Sequence, residues 1–146
     1  MTPLCLLVTL IIMCSAASPI LGQQPPRSEK SERSAAQRKI NSQLLYEIYR
    51  RRGEAERKGV PPGKTDVRID ARGRALVDVR ADVTTALQQK IRGLGGTIVS
   101  TSRESHSIIA RVPILKLERL ASNPAVRFIE PAAEAITVRE PAKRIR

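Results

Sequence analysis

The fold is decided by residues 74–131, which read RALVDVRADVTTALQQKIRGLGGTIVSTSRESHSIIARVPILKLERLASNPAVRFIEP. Alternation of apolar and polar residues predicts four strands, at 75–81, 97–102, 107–112 and 126–130. Helical spacing predicts one helix capped by Asp82 and ended by Gly95 and Gly96, and a second opened by Pro113. The order β-α-β-β-α-β predicts an α+β, ferredoxin-like fold, in which an antiparallel sheet carries both helices on one face.

The residues before this stretch divide by composition. Residues 23–37 are polar and rich in Pro and Ser, which predicts a disordered linker. Residues 38–64 predict an amphipathic helix followed by a Pro/Gly linker, VPPGK. Residues 65–70 predict an extra hairpin strand before the turn at 70–73. The folded domain is therefore expected at 65–131, and an extended tail at 132–146.

The first 22 residues predict a signal peptide. An apolar run from Leu4 to Met13 is too short to span a bilayer comfortably, and small residues follow it, with cleavage expected after Ala17 or Gly22. No Lys or Arg precedes the run, so an uncleaved anchor is the alternative. Both cysteines lie in this segment, and the chain after cleavage would form no disulfide. The expected location is secreted or periplasmic, with no membrane contact after cleavage.

Charge and composition narrow the classes of partner. The formal net charge is +12, all of it outside the first 26 residues, and the chain has no Trp and a single Phe. The core must therefore be small and aliphatic. Such a charge suits nucleic acid, an anionic surface or an acidic protein, or it serves solubility alone.

The sequence offers little catalytic chemistry. His106 is the single histidine, and it lies in the short connection 103–106, which predicts a turn residue rather than a metal ligand or a general base. The glycines of GLGG, 93–96, follow a helix, where the helix dipole disfavours an anion. The chain is therefore expected not to be an enzyme and to hold no cofactor or metal.

One face of the predicted sheet is left without helices. The strand period points these side chains toward the helices: Val77, Val79, Ile108, Ala110, Val112, Val126 and Phe128. The same period sends Leu76, Ile109 and Ile129 to the open face, and an exposed apolar patch of that kind usually marks an interface. The alternative is that the helix at 38–52 folds back and covers this face.

The stretch RALVDVRADVTTALQQKIRGLGGTIVSTSRESHSIIARVPILKLERLASNPAVRFIEPAAEA, with the preceding KINSQLLYEI, resembles the inhibitor-type prodomain of secreted bacterial subtilisin-like serine peptidases. The resemblance covers about residues 39–135. It implies that the open face of the sheet lies against two surface helices of the peptidase, first as a folding template and then as an inhibitor.

The resemblance also implies roles for charged and extended residues. Glu104 and Glu130 would cap the N-termini of the peptidase helices. The tail, including Ala132, Ala133, Glu134, Ala135, Ile136 and Thr137, would lie in the substrate cleft. The Asp, His and Ser motifs of the catalytic domain that follows in such precursors are absent here. Two interpretations stay open: the chain is the N-terminal part of such a precursor, or it is a free-standing inhibitor.

Two other classes of function compete. Ferredoxin-like sheets also bind nucleic acid, but that mode stacks bases on aromatic side chains, and the folded part has only Phe128, predicted to face the core. A small-molecule regulatory domain of the same topology is the third class, and the sequence identifies no ligand pocket for it.

Overall fold

The computed structural model describes residues 29–132. A 3-10 turn, Glu29–Glu32, precedes the helices α1 (Ala35–Arg38) and α2 (Ser42–Arg51). The remaining elements, in chain order, are β1 (Arg74–Ala81), α3 (Thr85–Gly93), β2 (Thr97–Ser102), β3 (Ser107–Pro113), a 3-10 turn at Ile114–Lys116, α4 (Leu117–Ala121) and β4 (Val126–Pro131). The predicted signal peptide, residues 23–28 of the predicted linker and the tail after Ala132 lie outside the described residues.

The four strands form one antiparallel sheet in the order β2-β3-β1-β4. Helix α3 joins β1 to β2, and α4 joins β3 to β4. This arrangement confirms the predicted α+β, ferredoxin-like class. No helix within residues 29–132 is long and apolar enough to cross a bilayer.

The extra hairpin strand is reduced to a single bridge between Ile69 and Ala75. β1 pairs with β3 along its length and with β4 from Val77 onward. Only the first residues of β1 are therefore free to pair with a further strand. The turn before β1 is nevertheless well made. The Asp70 carboxylate accepts the backbone N–H groups of Arg72 and Arg74, and these bonds, with the Arg74 side chain, lower the pKa of Asp70.

The facing of β1 and β3 follows the predicted alternation. Ala75, Val77, Val79 and Ala81 are fully buried on the helix side, and their partners Ile108, Ala110 and Val112 are buried with them. Leu76 and Ile109 point to the other side and remain half-buried. These two positions on the open face were therefore predicted correctly.

In β4, the predicted facing of Val126 toward the helices is confirmed, but that of Phe128 and Ile129 is wrong. Ile129 lies opposite Val79 and is 0% exposed, so it faces the helices, whereas Phe128 lies opposite Arg80 on the open face. The cause is a register shift: Ala81 pairs with Val126 and the preceding Arg80 pairs with Phe128, so β4 carries one additional residue, Arg127. One additional residue in a strand reverses which side chains face the core.

The cap of α3 also differs from the prediction. Thr84 is the N-cap, and its side-chain oxygen accepts the backbone N–H of Leu87 at 3.2 Å. The predicted cap, Asp82, instead forms an ion pair with Arg127. The helix consequently begins three residues after Asp82.

The N-terminal segment belongs to the same core as the sheet. Ile40, Leu44, Leu45, Ile48 and Tyr49 are almost completely buried and pack in one cluster with the inward-facing strand residues. α2 contacts the turn at Ile114–Lys116, and α1 contacts α4, so both helices lie on the helix side of the sheet. The alternative that this helix covers the open face is therefore wrong.

Residues 29–37 are ordered, unlike the disorder predicted for them. Glu29 and Arg33 form two hydrogen bonds of 2.7 Å, and the guanidinium of Arg33 lies 5.9 Å from the centre of the Tyr46 ring. Ser34 and Gln37 form a reciprocal capping box at the start of α1. Each of these side chains has an interaction partner in the folded chain, and amino-acid composition alone does not predict such partners.

Glu118 on α4 links this N-terminal segment to the domain. Its carboxylate accepts a hydrogen bond of 2.7 Å from Gln37 and pairs with Arg52, so one side chain holds both ends of the α1–α2 segment. Burial raises the pKa of Glu118, but the hydrogen bonds from Arg52 and Gln37, with the charge of Arg52, outweigh burial and leave the pKa below its ordinary value.

We expect Glu118→Gln to lower the free energy of unfolding by about 1 kcal/mol near neutral pH. Because the folded-state pKa is lowered, the ionised carboxylate stabilises the fold fully above its unfolded-state pKa, and this contribution is lost as pH falls through the folded value. Urea unfolding of both proteins at neutral and at strongly acidic pH measures the effect. The difference between them should shrink in acid, and an unchanged difference would contradict the assignment.

Candidate interaction surface

The open face of the sheet presents four rows of side chains. In the strand order β2-β3-β1-β4, the rows are Ser102, Ser107, Arg80 and Phe128, then Ser100, Ile109, Asp78 and Glu130, then Thr97, Arg111, Leu76 and Ala132, and last Pro113 and Arg74 on the two central strands. Within residues 29–132, none of the helices packs on this face.

Leu76 and Ile109 are the apolar centre of this face. Arg111 is the direct cross-strand partner of Leu76, and Asp78 that of Ile109. The two aliphatic side chains are therefore diagonal neighbours on the two central strands, at a distance of about 7–8 Å between backbones. Both are half-buried by their neighbours and keep part of their surface exposed.

A polar network lies beside this apolar pair. The Ser107 hydroxyl donates to Asp78 at 2.6 Å, and Arg80 contacts Asp78 at 3.1 Å and Glu130 at 3.2 Å. Asp78 and Glu130 are direct cross-strand partners, and Arg80 offsets the repulsion between their charges. A partner that covers this network would meet carboxylates whose hydrogen bonds are already made.

The charges on the open face cancel. Arg80 and Arg111 balance Asp78 and Glu130, and Arg74 forms an ion pair with Asp70 at 2.9 Å. The whole chain, by contrast, carries +12. The excess positive charge is therefore located elsewhere in the chain. The open face therefore lacks the net positive charge that attracts a nucleic-acid backbone.

Phe128 was missed as a member of the open face. It is half-buried at the corner of the sheet, opposite Arg80. The residue that the sequence placed there, Ile129, lies in the core. In the segment VRFIE, three apolar residues fall on both parities, so the sequence contained no signal that could locate the bulge.

The two acidic residues predicted to meet a partner differ in their surroundings. Glu104 is exposed in the β2–β3 connection. Glu130 is half-buried, and one oxygen of its carboxylate accepts a hydrogen bond from Arg80 at 3.2 Å. Of the predicted tail residues, Ala132 is described, and its backbone N–H donates to Leu76 at 3.1 Å. Ala133, Glu134, Ala135, Ile136 and Thr137 lie outside the described residues.

His106 occupies the turn position that the sequence predicts. Its φ of 50° is in the left-handed region, and its Nδ1 lies 3.6 Å from the Asp82 carboxylate, which also binds Arg127. Within residues 29–132, no group of three or more His, Cys, Asp or Glu side chains is placed to hold a metal ion.

The chain was compared with known proteins in three ways. It matches no protein-family model, no curated protein and no solved structure.

Proposed function

We propose that this chain is a non-catalytic, prodomain-type inhibitor and folding template of a subtilisin-like serine peptidase. The observation that carries the proposal is the uncovered, charge-neutral face of a ferredoxin-like sheet, with Leu76 and Ile109 at its centre and every described helix on the other side. This agrees with what the sequence resemblance implies for such prodomains.

The open face can bind a protein at low cost. Leu76 and Ile109 stand on the two central strands, so their positions are fixed by backbone pairing on both sides. Little conformational entropy is then lost on binding. Because Ser107 and Arg80 already satisfy Asp78, covering it leaves no carboxylate unpaired.

The tail provides the second contact of the proposal. Ala132 still pairs with Leu76 on β1, so the chain leaves the sheet beside the apolar centre of the open face. Residues 133–137 would continue from this point into the substrate cleft, as the resemblance implies. In the same proposal, the first 22 residues direct export.

We expect Ile109→Lys and Leu76→Glu each to weaken inhibition of a subtilisin-like peptidase at least about tenfold, since truncating a central interface anchor costs on the order of 1–3 kcal/mol and 1.4 kcal/mol is a decade of affinity. The sheet should remain folded, because each new charge lies across the strand from an opposite charge. Asp78 is the cross-strand partner of position 109, and Arg111 is that of position 76.

The measurement is the inhibition constant together with circular dichroism for each variant. Gln89→Lys, on the exposed side of α3, is the matched control and should change neither. Folded variants with unchanged inhibition constants would exclude the open face as the peptidase contact. Tight binding of single-stranded nucleic acid that these variants abolish would favour the nucleic-acid alternative instead.

A further inference from the structure

We propose that the segment 61–67 is a regulatory cleavage site, cut between Lys64 and Thr65 by a trypsin-like peptidase, and that the cut makes the stability of the domain depend on its concentration. The consequence for inhibition rests on the proposed function. The cleavage itself and its effect on stability do not.

The backbone of this segment is weakly held. Pro61, Pro62, Gly63 and Lys64 are exposed in succession. Two side-chain hydrogen bonds attach the segment to α2, from Arg50 to the carbonyl of Pro61 at 3.2 Å and from the Thr65 hydroxyl to Glu47 at 3.3 Å. No backbone N–H between 61 and 67 donates to another backbone group of the described residues. Such a segment can enter a peptidase cleft with little unfolding.

Lys64 is the basic residue of this loop that is best placed for cleavage. Trypsin-like peptidases cut after Lys or Arg because a carboxylate lies in the pocket that binds this side chain. Lys58 lies in a hydrogen-bonded turn, in which its N–H donates to Glu54 and the N–H of Val60 donates to Ala55. Arg68 precedes the bridge between Ile69 and Ala75. Cleavage at either position must first break structure.

The cut would separate two parts of one core. Hydrolysis adds water across the Lys64–Thr65 bond and leaves a carboxylate on Lys64 and an amine on Thr65. The piece ending at Lys64 contributes five core residues, Ile40, Leu44, Leu45, Ile48 and Tyr49. It also pairs with both backbone groups of Ile129, through Lys39 and Asn41 at 2.8 Å. The pieces would therefore stay associated when concentrated and separate on dilution.

The stability of the cut domain depends on concentration because the covalent link between α2 and the sheet is lost. In the intact chain, α2 is present at the effective concentration set by its tether, on the order of millimolar for a short linker. After cleavage, α2 is held only by mass action. A secreted inhibitor would then remain active near its source and lose its fold, and with it inhibition, as it spreads.

The test is limited trypsin digestion of the full chain, followed by intact mass and N-terminal sequencing. We expect the first cut within residues 29–132 to follow Lys64, about tenfold faster than any other in that range. Lys64→Gln should abolish this cut, and the matched control Lys58→Gln should not slow it. A first cut elsewhere in the range, or equal cleavage of Lys64→Gln, would overturn the proposal.

The second measurement is the thermal midpoint of the nicked protein. Over a hundredfold dilution we expect it to fall by on the order of 10 °C, while the midpoint of intact protein stays constant. A nicked protein whose midpoint does not change with concentration would refute the switch. Because neither arm uses a subtilisin-like peptidase, failure here is distinguishable from failure of the proposed function.

Discussion

Replacing Ile129 with Asp should unfold the domain. The Ile129 side chain is 0% exposed and faces the helices opposite Val79. Its backbone N–H donates to Lys39, and its carbonyl accepts from Asn41, both at 2.8 Å. A carboxylate at this position has no partner, and burying it costs several kcal/mol. Since small domains are stable by about 5–15 kcal/mol in total, most of the folded population should be lost.

The neighbouring residue is the matched control. Phe128 is half-buried on the open face, and Asp at this position would lie opposite Arg80. We expect Phe128→Asp to cost about 1 kcal/mol, because only part of the ring is removed from a buried environment. Thermal unfolding of both variants, followed by far-ultraviolet circular dichroism, compares them directly. A folded Ile129→Asp beside an unfolded Phe128→Asp would show that the bulge is absent and that the face assignment of β4 is reversed.

Ile129 and Phe128 also show which part of the sheet could not be predicted from the sequence. For β1 and β3, a regular period of two was sufficient, and the buried and open sides of Val77, Val79, Leu76 and Ile109 were predicted correctly. For β4, the facing depends on a register shift against β1. A bulge is a property of the pairing between two strands, so the side-chain pattern of one strand does not determine it.

The N-terminal segment was predictable from the sequence only in part, for a different reason. The apolar stripe of α2 was read correctly, since Leu44, Leu45, Ile48 and Tyr49 are all buried. The surface that this stripe packs against could not be predicted, because the apolar pattern of a helix shows that one face is buried but does not identify the surface that buries it. The order of residues 29–37 was not predicted for a related reason: contacts such as that between Gln37 and Glu118 join residues 81 positions apart.

The residues of the open face could be predicted from the sequence only where the facing of their strands could be predicted. Leu76 and Ile109 follow from strand period and topology together. The polar network of Asp78, Ser107, Arg80 and Glu130 was not anticipated, because it requires the register of three strands at once. That network contributes to the neutrality of the face, and this charge balance supports the proposed protein partner more than the total charge of the chain does.

Removing residues 29–52 should abolish folding of the rest of the domain. This segment contributes five fully buried side chains, and burial stabilises each by about 1.5–3 kcal/mol, for a total on the order of 10 kcal/mol, comparable to the whole stability of a small domain. The deletion also removes the backbone partners of Ile129 and the two partners of Glu118. A chain of residues 53–132 should therefore show no cooperative thermal transition.

The control is a chain of residues 29–132, which keeps every one of these contacts and should unfold cooperatively. A synthetic peptide of residues 29–52 added to the shorter chain should restore a transition whose midpoint rises with peptide concentration, because association and folding are then coupled. Ile48→Asp in that peptide should remove the rescue, since Ile48 is 0% exposed. If the chain of residues 53–132 folds alone, α2 is an accessory to the sheet, and the concentration-dependent stability proposed for the nicked domain would have no physical basis.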